Sequence, residues 1–149
     1  QPGSVRLAEI KETVVFVYGT LLFQEVLGVL GLKLEFRGEA VLKGWSRRSL
    51  RDRRYPAVVK AAAGSVRGKL LCCPNEKTLE CLDHYEGEEY QRRKLTVQKD
   101  GVDMEAWVYT LKEVHLPWVD GDWNPEVFRR SHLEGYLNEC IRWSKADGG

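Results

Sequence analysis

Three short stretches hold the residues whose types and spacing suit chemistry. Leu82-Asp83-His84-Tyr85-Glu86-Gly87-Glu88-Glu89-Tyr90-Gln91-Arg92 gathers four carboxylates, two tyrosines and an arginine. A carboxylate there can take a proton and return it where water is kept away. On spacing alone, Glu86 is equally an ordinary solvated residue at a helix end. Tyr18-Gly19-Thr20-Leu21 follows an apolar run. Gly19 lets the backbone come close to a ligand, so amides in this loop suit an anion; a plain turn has the same composition. Tyr55-Pro56-Ala57-Val58 lies between the two. Metal chemistry is not expected: Cys72, Cys73, Cys81 and Cys140 form no CxxC pair, and neither His84 nor His132 stands at ligand spacing. Cys81 reads as a small buried hydrophobe.

The elements that must position these residues follow from periodicity. Thr13 to Val17 is β-branched and aromatic, a buried strand that delivers the Tyr18 loop. Leu22 to Leu30 reads as a short helix ended at Gly31, and Leu34 to Leu42 as a strand with Gly38 at a bulge. Arg47 to Arg54 reads as a basic connection. Tyr55 to Val59 and Val66 to Cys72 are two further strand-like runs. Asn75 is placed to cap a helix in which Leu79, Leu82 and either Tyr85 or Glu86 recur at helical spacing, and which stops at Gly87. Asp100-Gly101 is a hairpin turn joining Tyr90–Lys99 to Met104–Leu111. Trp118, Trp123 and Trp143 read as anchors for the tail. Pro125 opens a terminal helix over about 125–143, with an apolar stripe through Phe128, His132, Leu133, Tyr136, Leu137 and Ile141. Six or so strands and two or three helices predict an α+β fold, a mostly antiparallel sheet curled into a small barrel, in a single domain over 1–149.

Taken together and in this order, Val17-Tyr18-Gly19-Thr20-Leu21, Tyr55-Pro56-Ala57-Val58 and the LDxxEGxxYxR stretch resemble the gamma-glutamylcyclotransferase-like superfamily, most of all its plant avirulence-induced-gene-like branch. The resemblance runs from Val14 to Tyr109. It implies a small antiparallel β-barrel with flanking helices, and cyclisation of a gamma-glutamyl amine or peptide to 5-oxoproline with release of an amine. Carried over by position, Glu86 matches the acid/base carboxylate and Tyr18, Gly19, Thr20 and Leu21 the loop that holds the substrate's carboxylate. Tyr90 and Tyr109 match aromatic positions near the pocket; as residues they are equally ordinary core aromatics. No cofactor and no metal is implied, and the partner is a small-molecule gamma-glutamyl substrate. A second reading is a non-catalytic small-molecule-binding or stress-regulatory protein that keeps the pocket.

Composition bounds the rest. With 23 basic and 22 acidic side chains, a net charge of +1 supplies no global field for a polyanion. The basic cluster Arg47, Arg48, Arg51, Arg53 and Arg54 lacks interleaved aromatics beyond Trp45 and Tyr55, so a solvated loop is preferred to an RNA site and no nucleic-acid partner is predicted. No apolar run reaches the ~20 residues of a membrane helix, and Gln1 to Arg6 lacks the order of a signal peptide. Adjacent Cys72 and Cys73 suit reduced thiols. These features predict a cytoplasmic protein without membrane association.

Overall fold

The computed structural model describes residues 13–112 and 121–148. Five strands form the sheet: β1 Thr13–Val17, β2 Glu35–Ser49, β3 Pro56–Cys73, β4 Tyr90–Lys99 and β5 Val102–Leu111. Four helices accompany them: α1 Gln24–Leu30, α2 Glu76–Glu86, α3 Pro125–Ser131 and α4 Leu133–Gly148. A single 3-10 turn over Thr20–Leu22 follows β1. The strands run β1-β3-β2-β4-β5 around a closed barrel. Every neighbouring pair is antiparallel except β1 with β5, which is parallel. The protein is therefore α+β, a mostly antiparallel barrel flanked by helices.

Strand β1 is apolar throughout because both its faces are buried. Phe16, followed by Tyr18, joins Leu42, Val58, Leu70 and Val108 inside the barrel. Val15 and Val17 point the other way, into a second core with Val26, Leu79, Leu82, Phe128 and Leu133 beneath the helices. Alternation on β3 and β5 divides their side chains in the same manner, which is the period-two consequence of a pleated strand.

Several terminators are where sequence places them. Gly31 ends α1 at φ 70°. The Asn75 side chain accepts from the Thr78 amide at 2.9 Å, and Gly87 ends α2. Asp100 and Gly101, both at positive φ, make the two-residue turn between β4 and β5. Gly38 lies within the register shift between Phe36 and Glu39.

Other expectations need correction. The described residues hold five strands because the runs Tyr55–Val59, from Pro56 on, and Val66–Cys72 belong to one long β3, whose middle is mostly solvent-facing and so lacks an apolar period. Arg47 and Arg48 belong to β2, opposite Val58 and Ala57. Arg47 is held there by a bidentate pair with Asp122, at 2.9 and 3.1 Å, and by donation to the Tyr18 carbonyl at 3.0 Å. Arg53 pairs with Glu89 and Arg54 with Glu139. The stretch expected as one terminal helix holds two, α3 and α4, broken where His132 adopts φ −130°. Cys81 is exposed; the other three thiols are buried, and all four are free. Trp123 is an anchor, its indole N–H donating to the Arg54 carbonyl at 2.7 Å, whereas Trp143 is 39% exposed and Trp118 lies outside the described residues. No helix of the described residues is long and apolar enough to cross a membrane.

Phe128 ties the terminal helices to the barrel. It is 1% exposed, with ring centroids 5.3 Å from Phe23, 5.2 Å from Trp123 and 5.6 Å from Tyr136. Phe128→Ala should cost about 3–5 kcal/mol of stability, read as a lowered urea midpoint. A loss under about 1 kcal/mol would show that α3 is not part of the cooperative core.

Candidate functional site

The end of β1, the start of β3 and the end of α2 converge on one small cavity of about 80 Å³. Strand β1 and its loop contribute Phe16 through Leu21, and Tyr55-Pro56 comes from the β3 entry. Tyr85 and Glu86 come from the last turn of α2, Tyr90 and Tyr109 from the hairpin, and Tyr136 from α4. Every residue expected at the site lines it: Glu86, Tyr18, Gly19, Thr20, Leu21, Tyr90 and Tyr109. Phe16, Val17, Tyr55, Pro56, Tyr85 and Tyr136 were not assigned from sequence. One signal was available: the chain has six tyrosines, and all six line this cavity.

The loop is seated by contact. A Cβ on Gly19 would stand 3.0 Å from both Cδ and Cγ of Pro56, a rigid ring with little room to yield. Beyond it, the Leu22 and Phe23 amides bond back to the Gly19 and Thr20 carbonyls. The amides of Gly19, Thr20 and Leu21 have no acceptor among the described residues. Three adjacent N–H groups left over at a cavity wall are suited to an anion.

Glu86 is the last residue of α2, half-buried, and lines the cavity. Its carboxylate has neither an ion pair nor a hydrogen bond among the described residues. Burial pushes its pKa up to about 8, and the like charge of Asp83 one turn earlier adds to the rise. Asp83 is treated in the opposite way. It accepts from Arg92 Nε at 2.8 Å, from a second Arg92 nitrogen at 3.1 Å and from the Tyr109 hydroxyl at 2.7 Å. These bonds fasten the final turn of α2 to β4 and β5, and so fix where Glu86 stands.

Most of the tyrosine hydroxyls are committed elsewhere. Tyr18 donates to the Tyr109 carbonyl at 2.6 Å, Tyr90 to the Pro56 carbonyl at 2.6 Å, and Tyr55 to Glu89 at 2.6 Å. Tyr109 donates to Asp83 as above. Tyr85 bonds to Thr20 Oγ1 at 2.7 Å and also to the Tyr136 hydroxyl. Burial raises the pKa of all six phenols, Tyr55 to about 12, so they are neutral donors at ordinary pH. Among the described residues, the cavity therefore has aromatic walls, one carboxylate, and no Lys or Arg in its lining. Such a site complements a ligand that brings a cationic amine to Glu86 and an anion to the loop amides.

A family model described as gamma-glutamyl cyclotransferase, AIG2-like, matches residues 15–125. AIG2-like protein D of Arabidopsis thaliana is 32% identical over 126 residues, which cover 83% of each chain. The solution structure of another Arabidopsis thaliana protein is similar at a TM-score of 0.67 and 27% identity, covering 94% of this chain and 95% of its own. A structure of a gamma-glutamyl cyclotransferase has a TM-score of 0.65 at 15% identity, over 87% of this chain and 86% of its own; that likeness is one of fold alone.

The state of Glu86 has a consequence for stability. Its folded pKa of about 8 lies above the ordinary 4.5, so between these values the folded chain holds a proton that the unfolded chain releases. Stability from this group is present below pH 4.5 and lost as pH rises toward 8. Glu86→Gln, neutral and similar in shape, should match wild type near pH 4.5 and exceed it at pH 9 by up to about 5 kcal/mol. Urea unfolding at the two pH values measures the difference; a gap that is the same at both would mean that Glu86 is not desolvated.

Proposed function

The chain belongs to the AIG2-like gamma-glutamyl cyclotransferase family, and from that premise we propose that its cavity cyclises a gamma-glutamyl amine or peptide to 5-oxoproline. The observation that supports this reading is an unpartnered Glu86, its titration raised by burial, lining the same cavity as the loop Tyr18 to Leu21.

In this reaction the nucleophile belongs to the substrate. Its α-amine attacks its own γ-carbonyl carbon, a C–N bond forms in a five-membered ring, and the original amide C–N bond breaks to release the amine. No Ser or Cys nucleophile is required, and the protein's tasks are proton transfer and folding the substrate onto itself. Glu86 takes a proton from the α-ammonium before attack and returns it to the departing nitrogen; the second proton, shed by the ring nitrogen as it becomes a lactam, passes by the same carboxylate to the amine, which leaves as an ammonium ion. The free amides of Gly19, Thr20 and Leu21 hold the α-carboxylate, and the tyrosine walls enclose the γ-glutamyl chain.

Magnitude explains why the carboxylate is buried. An α-amino group has an ordinary pKa of about 7.7–8.0 and an exposed Glu about 4.3, so proton transfer to an exposed Glu is uphill by about 5 kcal/mol. With Glu86 at about 8, the transfer is close to even in both directions. That balance suits a group that must act as base and then as acid. The ammonium, once bound, is a counter-charge that no described side chain lining the cavity provides.

The test is 5-oxoproline release across a panel of gamma-glutamyl amino acids, peptides and amines. Glu86→Gln should lower kcat by about 10²–10⁴ while circular dichroism shows the fold retained. For wild type, kcat/KM should fall about tenfold per unit below pH 8. An acid limb near the ordinary carboxylate pKa, or full activity in Glu86→Gln, removes Glu86 from the mechanism. Saturable 5-oxoproline binding with no turnover of any panel member would favour the non-catalytic binding protein instead.

A further inference from the structure

Cyclisation asks for a third group that the reading above does not supply. When the amine attacks, negative charge develops on the γ-carbonyl oxygen, and a donor held in place for it lowers the barrier. The loop amides are already engaged with the α-carboxylate. Among side chains lining the cavity, the hydroxyls of Tyr18, Tyr55, Tyr90 and Tyr109 each donate to a fixed acceptor of the protein.

Thr20, Tyr85 and Tyr136 are different. They form a chain of three hydroxyls joined by two hydrogen bonds, Thr20 to Tyr85 and Tyr85 to Tyr136. Each hydroxyl has one proton to donate. Three protons and two internal bonds leave one donor over, at one end of the chain. Tyr136 also meets the Cys140 thiol, but sulfur is a weak acceptor; a phenol is the stronger donor and an aliphatic hydroxyl the better acceptor, so the favoured direction runs from Tyr136 to Tyr85 to Thr20. The unspent proton then sits on Thr20 Oγ1, on a residue that is 6% exposed, lines the cavity and neighbours the free amides. Two phenols donating in series polarise it further.

Resting on the cyclotransferase reading, we propose that Thr20 Oγ1 donates to the substrate's γ-carbonyl oxygen, with Tyr85 and Tyr136 as positioning residues that direct its proton into the cavity. Thr20 is then a catalytic side chain as well as part of the loop. Tyr136, from the terminal helix, acts on the reaction through two hydroxyls. The product keeps the same feature, because the lactam carbonyl of 5-oxoproline is the γ-carbonyl of the substrate.

The experiment combines turnover with binding. Thr20→Val removes the hydroxyl at nearly constant shape and should lower kcat by about 10²-fold with KM changed less than about threefold; Thr20→Ser should retain activity. Tyr136→Phe keeps the ring and should lower kcat by a smaller factor. The double variant should be no worse than Thr20→Val alone, because Tyr136 acts through Thr20. A structural role for Tyr136 would make the two losses multiply. For binding, 5-oxoproline is compared with cyclopentanecarboxylate, which keeps the ring and the carboxylate without the lactam. Wild type should favour 5-oxoproline, and Thr20→Val should lose that preference. Tyr136→Phe, with a reduced preference, gives the same reading should Thr20→Val fail to fold. An unchanged preference and kcat in Thr20→Val, or multiplying losses in the double variant, overturns the hydroxyl chain and leaves the cyclotransferase reading standing. A wild type that neither turns over the panel nor prefers 5-oxoproline overturns both.

Discussion

Burying a carboxylate without a cation is the constraint around which the rest of this molecule is arranged. Glu86 and Asp83 lie one helical turn apart at the end of α2, yet they meet opposite environments. Asp83 is given a bidentate guanidinium and a phenol. Glu86 is given a cavity. An ionised carboxylate without a partner in low dielectric is so costly that it takes up a proton instead. The burial of Glu86 is thus tolerated by moving its titration to about 8. The Asp83 clamp contributes on two counts, fixing the helix end and adding like-charge repulsion. Two carboxylates on one helix are thus set apart by environment, one paired and one unpaired, the separation that the proposed chemistry calls for.

The tyrosines make such a cavity stable. An aromatic ring presents an apolar face to the core and a hydroxyl that must be satisfied when buried. Six rings wall the site, and four of their protons go to two backbone carbonyls and two carboxylates that lie on other elements. Each such bond crosses between parts of the fold: Tyr18 at the end of β1 with β5, Tyr90 of β4 with the start of β3, Tyr109 of β5 with α2. The walls are therefore fixed by the same bonds that connect strands to helix, and site geometry and barrel geometry are a single structure.

Much of this was legible in the chain. Asn75 and Gly87 bracket the Glu86 helix because a side-chain acceptor and a residue free of Cβ are what helix ends require. Asp100-Gly101 fixes the hairpin register, and the motif around Glu86 pointed to the family and the barrel. What remained hidden depends on distant partners. Arg47 looks like loop material until Asp122 and the Tyr18 carbonyl complete it. The middle of β3 has no buried face and hence no period to read. Tyr136 sits on an apolar stripe, where its ring is indistinguishable from a core aromatic; only the contact with Tyr85, 51 residues earlier, gives its hydroxyl a meaning.

That last residue also shows how the site divides. Residues matched by the family model, 15–125, include Glu86, the loop Tyr18 to Leu21 and five of the six tyrosines. Tyr136 lies beyond them, on α4, which is held against the barrel through Phe128. The proposed reaction, whose nucleophile belongs to the substrate, makes few chemical demands on the protein: one proton carrier, at the end of α2, and one anion cradle, in the loop after β1. In that reading the remaining wall shapes the space around the carbonyl and the departing amine. That wall comes from a helix outside the matched residues, so under the proposed reaction α4 is the element placed to shape the space that the departing amine occupies.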